Sequence, residues 1–302
     1  MKSLNINLEE KSDIKYKISH FPDGQQDIAI LPNFALESIL ESNSPVLIQS
    51  RFNSLMDLEL IICTTKALRR LGITEIHLHI PYILGARSDR QFIEGGTSYL
   101  VDVIAPILNL QNFTSVTCLD VHSDVAAACI DRLKVVSNCE FVQSALTKIT
   151  TTRDSWVLVS PDGGSLKKIY KVADAIGFTG EIVVCSKHRD SSGLLTKTIV
   201  PLTSLEDRTY IIIDDICDGG RTFINIAEEI KRLHDGLPWN SKIYLIITHG
   251  VFSAGVLHLT QYFEKIFVTN SIKDMSDDNT INYSAASAQL HQINIFNTAY
   301  KK

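Results

Sequence analysis

The sequence predicts an α/β fold, mostly parallel sheets flanked by helices, arranged as two related domains in tandem. Three observations predict it. Short apolar, β-branched runs alternate with segments that carry apolar residues at helical spacing. The alternation runs through two series of similar length, separated by the polar stretch "SNCEFVQSALTKITTTRDS". The unusual polar clusters, "PYILGARSDR", "LDVHSD", "SPDGG", "DDICDGGRT" and "THG", each follow a strand-like run, where open α/β sheets bind ligands. The expected division is residues 1–140 and 141–287, with about 288–302 packing back on the first domain.

In the first series, "SPVLIQS" (44–50) reads as a strand and "LMDLELIICTTKALRRLG" (55–72) as an amphipathic helix. Gly72 ends that helix, with Arg69 and Arg70 suitably placed at its negative end. "EIHLHIPYI" (75–83) reads as a strand, "GTSYLVDVIAPILNL" as a helix broken or bent near Pro106, and "SVTCLDVHS" as another strand. In the second series "SWVLVSPDGG" leads into the helix "SLKKIYKVADAIG". Then come the strands "EIVVCSK" and "TYIIIDD", the latter with its own helix, and "KIYLIITHG".

With 302 residues the chain can bury a substantial core, and 45% hydrophobic against 21% charged residues suits a globular protein. A net charge of −5 gives nucleic acid no general attraction. The polar opening "MKSLNINLEEKSDIKYK" does not resemble a signal peptide, and no window has the apolar length of a membrane helix. The expectation is a cytoplasmic protein with no membrane partner. Its six cysteines are widely spaced and without a CxxC pair, so they are expected reduced.

The densest chemistry lies in "YIIIDDICDGGRTFINIAEEIKR" (210–232). Tyr210 to Ile213 read as a buried strand, and Phe223, Ile226 and Ile230 as the inner face of a helix, which puts the acids and glycines on the turn between them. Gly219 and Gly220 let amide groups converge on an anion, Thr222 adds a hydroxyl, and the positive end of the helix favours phosphate. Asp214 and Asp215 would repel a bare phosphate, so they suit sugar hydroxyls or a hydrated magnesium ion.

Other clusters leave alternatives open. His122 is either a hydrogen-bonded structural residue or a ligand, and Asp162 either shapes a tight turn or joins a metal site. Lys187 and Arg189 in "KHRD" are either solvated surface or a closing pair that neutralises a transferring phosphoryl group. Arg87 and Arg90 invite the same comparison.

Together these loops resemble one family, the ribose-phosphate pyrophosphokinases, also called phosphoribosyl pyrophosphate (PRPP) synthetases. "PYILGARSDR" resembles that family's PYxxYARQDR/K stretch, "LDVHSD" its D-x-H-S/A segment and "SPDGG" its SPDxGG turn. "KHR" is similar to its flexible-loop KxR, "DDICDGGRT" to its ribose-5-phosphate loop, and "THGVFSAG" to its TATHG-type strand end. "FPDGQQ" resembles the FxDGE segment that reaches the adenine pocket of a neighbouring subunit. The matches keep their order across roughly residues 19–296.

The resemblance implies two type I phosphoribosyltransferase-like domains and transfer of a pyrophosphoryl group from ATP to ribose 5-phosphate, giving PRPP and AMP. It implies ATP contacts from Arg87, Ser88 and Asp89, and from Phe21, Asp23 and Gln25 across an interface of a dimer-based homo-oligomer, with a hexamer among the options. Mg2+ would be bound by His122, Asp162 and Asp214. Lys187 and Arg189 would stabilise the transition state, and Asp214, Asp215, Asp218, Gly219, Gly220, Arg221 and Thr222 would hold ribose 5-phosphate.

The chain departs from the family pattern in places. Gly219 stands where a hydroxyl is usual, Arg221 where glycine is usual, Ser88 for glutamine, Gly85 for tyrosine and Gln25 for glutamate. The start of the chain is expected to lack the family's opening strand and glycine turn, which trims the first domain. Two alternatives share the acidic loop: a PRPP-consuming phosphoribosyltransferase, and a non-catalytic regulatory relative.

Overall fold

The computed structural model describes residues 1–189, 195–237, 239–275 and 288–296, and it divides the chain into two units. The first is Met1–Ser137, joined by the described residues from Ile295; the second is Asn138–Asn294. Each has its own apolar core.

The first unit holds β1 (Lys2–Ile6), β2 (Tyr16–His20), β3 (Gln26–Ile30), α1 (Phe34–Ser42), β4 (Val46–Ser50), α2 (Leu55–Arg70), β5 (Ile76–His79), α3 (Ala105–Asn109), β6 (Ser115–Leu119), α4 (Asp124–Cys129) and β7 (Leu133–Val136). Its main sheet is parallel throughout, in the order β1-β4-β5-β6-β7, while β2 and β3 pair as a separate antiparallel hairpin. A capping box starts α2: Ser54 and Asp57 each satisfy the other's backbone N–H.

The second unit holds α5 (Cys139–Leu146), β8 (Trp156–Ser160), α6 (Leu166–Ala175), β9 (Glu181–Val184), β10 (Ser186–Arg189), β11 (Leu195–Ile199), β12 (Thr209–Cys217), α7 (Arg221–Leu233), β13 (Lys242–Gly250), β14 (Lys265–Thr269) and β15 (Leu290–Ile293). The six-stranded sheet β15-β14-β13-β12-β8-β9 is again parallel, and β10 and β11 form an antiparallel ribbon. Both long central strands, β12 and β13, are buried nearly from end to end, as a parallel strand covered on two faces must be. Burying each large side chain such as Ile211 or Ile212 contributes about 1.5–3 kcal/mol. Helix α7 turns Phe223, Ile226, Ala227 and Ile230 inward, at the spacing expected for its apolar stripe.

Two expectations about elements need correction. The chain does open with a strand: β1 pairs in parallel with β4, and Leu4 and Ile6 are fully buried. The strand expected over 75–83 is only β5, because Pro81 follows it and has no N–H for the ladder. The break expected near Pro106 is present: a π-helical turn over Leu100–Ile104 gives way to α3, and Pro106 sits in the first turn of α3, where its missing N–H costs nothing.

Candidate functional site

The second unit gathers its polar groups at the carboxyl ends of β8, β12 and β13. The two acids do not sit on a turn as expected. They lie within β12, whose ladder with β13 continues through Asp214↔Ile247 and Ile216↔His249 to Cys217↔Gly250. Pairing with β8 stops earlier, at Ile212↔Val159. Beyond that point the neighbour of β12 is the turn after β8 and the start of α6.

That turn holds both acids. Asp162 accepts from the N–H groups of Gly164 and Ser165 at 3.0 and 3.3 Å, shaping the entry to α6. The Ser165 hydroxyl donates to Asp214 Oδ1 at 2.7 Å, and Lys168 Nζ donates to Asp215 Oδ2 at 2.8 Å. The Asp215 side chain is only 7% exposed and that of Lys168 27%, so this ion pair is shielded from water. Burial first, then the negative charge of Asp215, pushes Asp214 up to about 8, against the lowering effect of the Ser165 hydrogen bond. The neighbouring carboxylate Asp162 adds to the rise.

The glycine loop follows. Gly220 takes φ +78° and caps α7; a Cβ there would stand 2.6 Å from Leu259 Cδ2. Gly219 has room, its nearest such contact being Ser253 Oγ at 3.8 Å. No acid occupies the first turn of α7, which begins with exposed Arg221 and half-buried Thr222, so its positive end is uncompensated by its own side chains. A second loop braces the glycines: the Ser253 hydroxyl donates to Asp218 Oδ1, and His258 Nε2 lies 3.1 Å from the Gly219 carbonyl oxygen. Cys217 is fully buried beneath, and burial, then Asp214 and Asp218, drives its thiol pKa well up. All six cysteines are free.

Lys187 and Arg189 stand on β10, opposite Thr198 and Leu195 of β11, and the register shifts between His188 and Arg189.

In the first unit the expected nucleotide-side residues also follow strand ends. The segment after β5 carries exposed Arg87 and half-buried Ser88 and Asp89, and the one after β6 carries exposed His122. A Ser123–Asp89 hydrogen bond of 2.5 Å ties these segments together. Gly85 takes φ +81°, and a Cβ there would meet the Tyr99 ring at 2.6 Å. Phe21, Asp23 and Gln25 form the exposed turn of the β2–β3 hairpin, closed by Phe21 N–H to the Gln25 carbonyl at 2.9 Å and by Gln25 N–H to Asp23 Oδ1 at 3.2 Å.

His122 belongs to the first unit, Asp162 and Asp214 to the second. Among the described residues no three His, Cys, Asp or Glu side chains form a ready-made cage. A cation would therefore take one or two carboxylates and complete its shell with water and phosphate oxygens, a mode that fits magnesium and the hard oxygen donors present.

Lys168, Ser165, Ser253 and His258 were not expected at the site. A lysine in "SLKKIYK" reads as solvated helix surface, and only the adjacency of β8 and β12 brings it to Asp215. No helix among the described residues is long and apolar enough to cross a membrane.

Comparison with known proteins identifies a phosphoribosyl transferase domain over residues 141–234. The ribose-phosphate pyrophosphokinase of Thermosipho africanus is 29% identical over 222 residues, 72% of this chain and 66% of that protein. That of Mycoplasmopsis pulmonis is 27% identical over 227 residues, 73% of this chain and 65% of that protein. These matches thus span just under two thirds of the relatives' own length. The phosphoribosylpyrophosphate synthetase structure from Mycobacterium smegmatis superposes with a TM-score of 0.71 at 18% identity, covering 93% of this chain and 86% of that one. It shows the same fold.

Proposed function

We propose, for a chain that is a divergent member of the ribose-phosphate pyrophosphokinase family, that it transfers a pyrophosphoryl group from ATP to the C1 hydroxyl of ribose 5-phosphate. The observation that carries this reading is the adjacency, on β12 and its turn, of a carboxylate pair and a left-handed glycine at an uncompensated helix N-terminus. One part suits sugar hydroxyls and the other a phosphate.

In this reading the C1 oxygen attacks the β-phosphorus of ATP, the bond from the β-phosphorus to the α,β-bridging oxygen breaks, and AMP departs. The hydroxyl proton passes to solvent or base. The first turn of α7, with Gly219, Gly220, Arg221 and Thr222, anchors the 5-phosphate. Asp214 and Asp215 orient the ring hydroxyls, and Asp218, braced by Ser253, fixes the loop. Lys187 and Arg189 neutralise the transferring group, which is where phosphoryl-transfer enzymes gain most of their rate. Magnesium, for which the family resemblance implies His122, Asp162 and Asp214 as ligands, would supply charge neutralisation on the phosphate oxygens. Arg87, Ser88 and Asp89 contact ATP. Phe21, 47% exposed on its hairpin turn, with Asp23 and Gln25, serves a neighbouring copy in a homo-oligomer.

Incubating the purified protein with ATP, ribose 5-phosphate and Mg2+, and separating the products, tests the reading. AMP and PRPP in equal amounts are expected. ADP would mean single phosphoryl transfer. No turnover, with other triphosphates and added inorganic phosphate also tried, would leave a PRPP-consuming transferase or a regulatory subunit.

A further inference from the structure

We infer that Lys168 and Ser165, at the start of α6, are positioning residues that set the site's recognition of sugar hydroxyls, Ser165 by holding the Asp214 carboxylate and Lys168 by holding that of Asp215. The inference rests on the sugar-phosphate reading above.

Strand geometry makes the need plain. Adjacent residues on a strand point to opposite faces, so two neighbouring acids do not share a common environment unless something outside the strand controls them. Here the control comes from one short piece of chain. Ladder pairing of β12 with β8 ends at Ile212↔Val159, and past it the turn after Ser160 folds against β12. Asp162 accepts from the backbone of Gly164 and Ser165, which fixes where that turn passes into helix. The result is that Ser165 reaches Asp214 at 2.7 Å and Lys168, three residues on, reaches Asp215 at 2.8 Å.

The two partners differ in kind. An ammonium group neutralises a nearly buried Asp215, whereas a hydroxyl only orients Asp214. Without Lys168, the nearly buried Asp215 would lose the ammonium 2.8 Å away that holds its carboxylate in place, and the carboxylate would reorient. That change alters how it meets a hydroxyl. The phosphate-binding elements, Gly219, Gly220 and the first turn of α7, are braced from the other side by Ser253 and His258 and do not depend on this pair. Lys168 should therefore govern the hydroxyl half of recognition and leave the phosphate half alone.

The test measures binding of ribose 5-phosphate, 2-deoxyribose 5-phosphate and inorganic phosphate by titration calorimetry in wild type, Lys168→Met, Lys168→Arg and Ser165→Ala, with thermal unfolding of each. Wild type should prefer ribose 5-phosphate over its 2-deoxy analogue about tenfold or more, the size of one lost charged hydrogen bond. In Lys168→Met the preference should shrink to about twofold while phosphate affinity holds within about twofold; Lys168→Arg should restore much of it, and Ser165→Ala should lower it in part. An unchanged preference in folded Lys168→Met overturns the inference, as does an equal loss for all three ligands. If Lys168→Met does not fold, full preference in folded Ser165→Ala does the same. Failure of wild type to bind ribose 5-phosphate at all overturns instead the sugar-phosphate reading on which the inference rests.

Discussion

Gly220 and Gly219 are neighbours in sequence but make opposite demands. Gly220 has φ +78°, and a methyl group there would collide with Leu259, whereas Gly219 has ordinary space around it. Gly220→Ala is expected to destabilise the protein by about 1–3 kcal/mol and Gly219→Ala by less than about 1 kcal/mol, as read by urea unfolding. The pair "GG" in the sequence carries no hint of which glycine is obligatory; the answer lies in the loop that packs over it. His291 gives a pH effect at the same scale. It stacks on Phe267 at 5.3 Å, and its Nε2 is buried with no hydrogen-bond partner among the described residues. Burial first, then Lys265 and Lys148, lowers its pKa. A histidine lowered on folding contributes stability above its unfolded value of about 6.5, and that contribution is lost as pH falls through the folded value. His291→Gln should thus flatten the fall in unfolding midpoint below about pH 6.5. A variant as acid-sensitive as wild type would assign the effect elsewhere.

At the scale of elements, the strand-loop-helix units of the second sheet were largely legible. Continuous β-branched runs such as "TYIII" have only one comfortable place, the middle of a parallel sheet, and the apolar stripe of α7 has only one inward face. Less was legible where the signal is not compositional. Strand β1 hides in "KSLNI", five residues of mixed polarity that look like an ordinary polar terminus until β4 lies beside them. The π-helical turn before Pro106 adds a residue to a turn without changing the kinds of residues present. The ribbon β10–β11 carries Lys187 and Arg189, and its backbone irregularity between His188 and Arg189 marks a segment of unusual register. If this ribbon supplies the charge for the transfer step, Lys187→Ala should lower kcat by about 100-fold or more with KM changed only a few-fold, in steady-state kinetics. Wild-type turnover in that variant would remove the ribbon from the mechanism.

At the scale of the whole molecule, each unit organises a parallel sheet so that its polar loops collect at the strands' carboxyl ends, and this general property is what singled out the candidate site loops in the sequence. Particular contacts between segments far apart in sequence were not readable, such as Lys168 with Asp215 and Ser253 with Asp218, and the expected return of the last segment to the first domain did not name its contact, Phe296 with His79. The last of these matters for assembly. Ile295 and Phe296 leave the second unit's strand order and bury completely in the first, where Phe296 lies 5.7 Å from His79 and beneath the Arg51 guanidinium at 5.9 Å. A stop codon before Ile295 should weaken protection of β4 and β5 in hydrogen exchange and leave β12 and β13 largely protected. During synthesis, the unit whose strands are made first receives Ile295 and Phe296 only after the whole of the second unit has been translated, so its last tertiary contacts await residues that leave the ribosome after that unit.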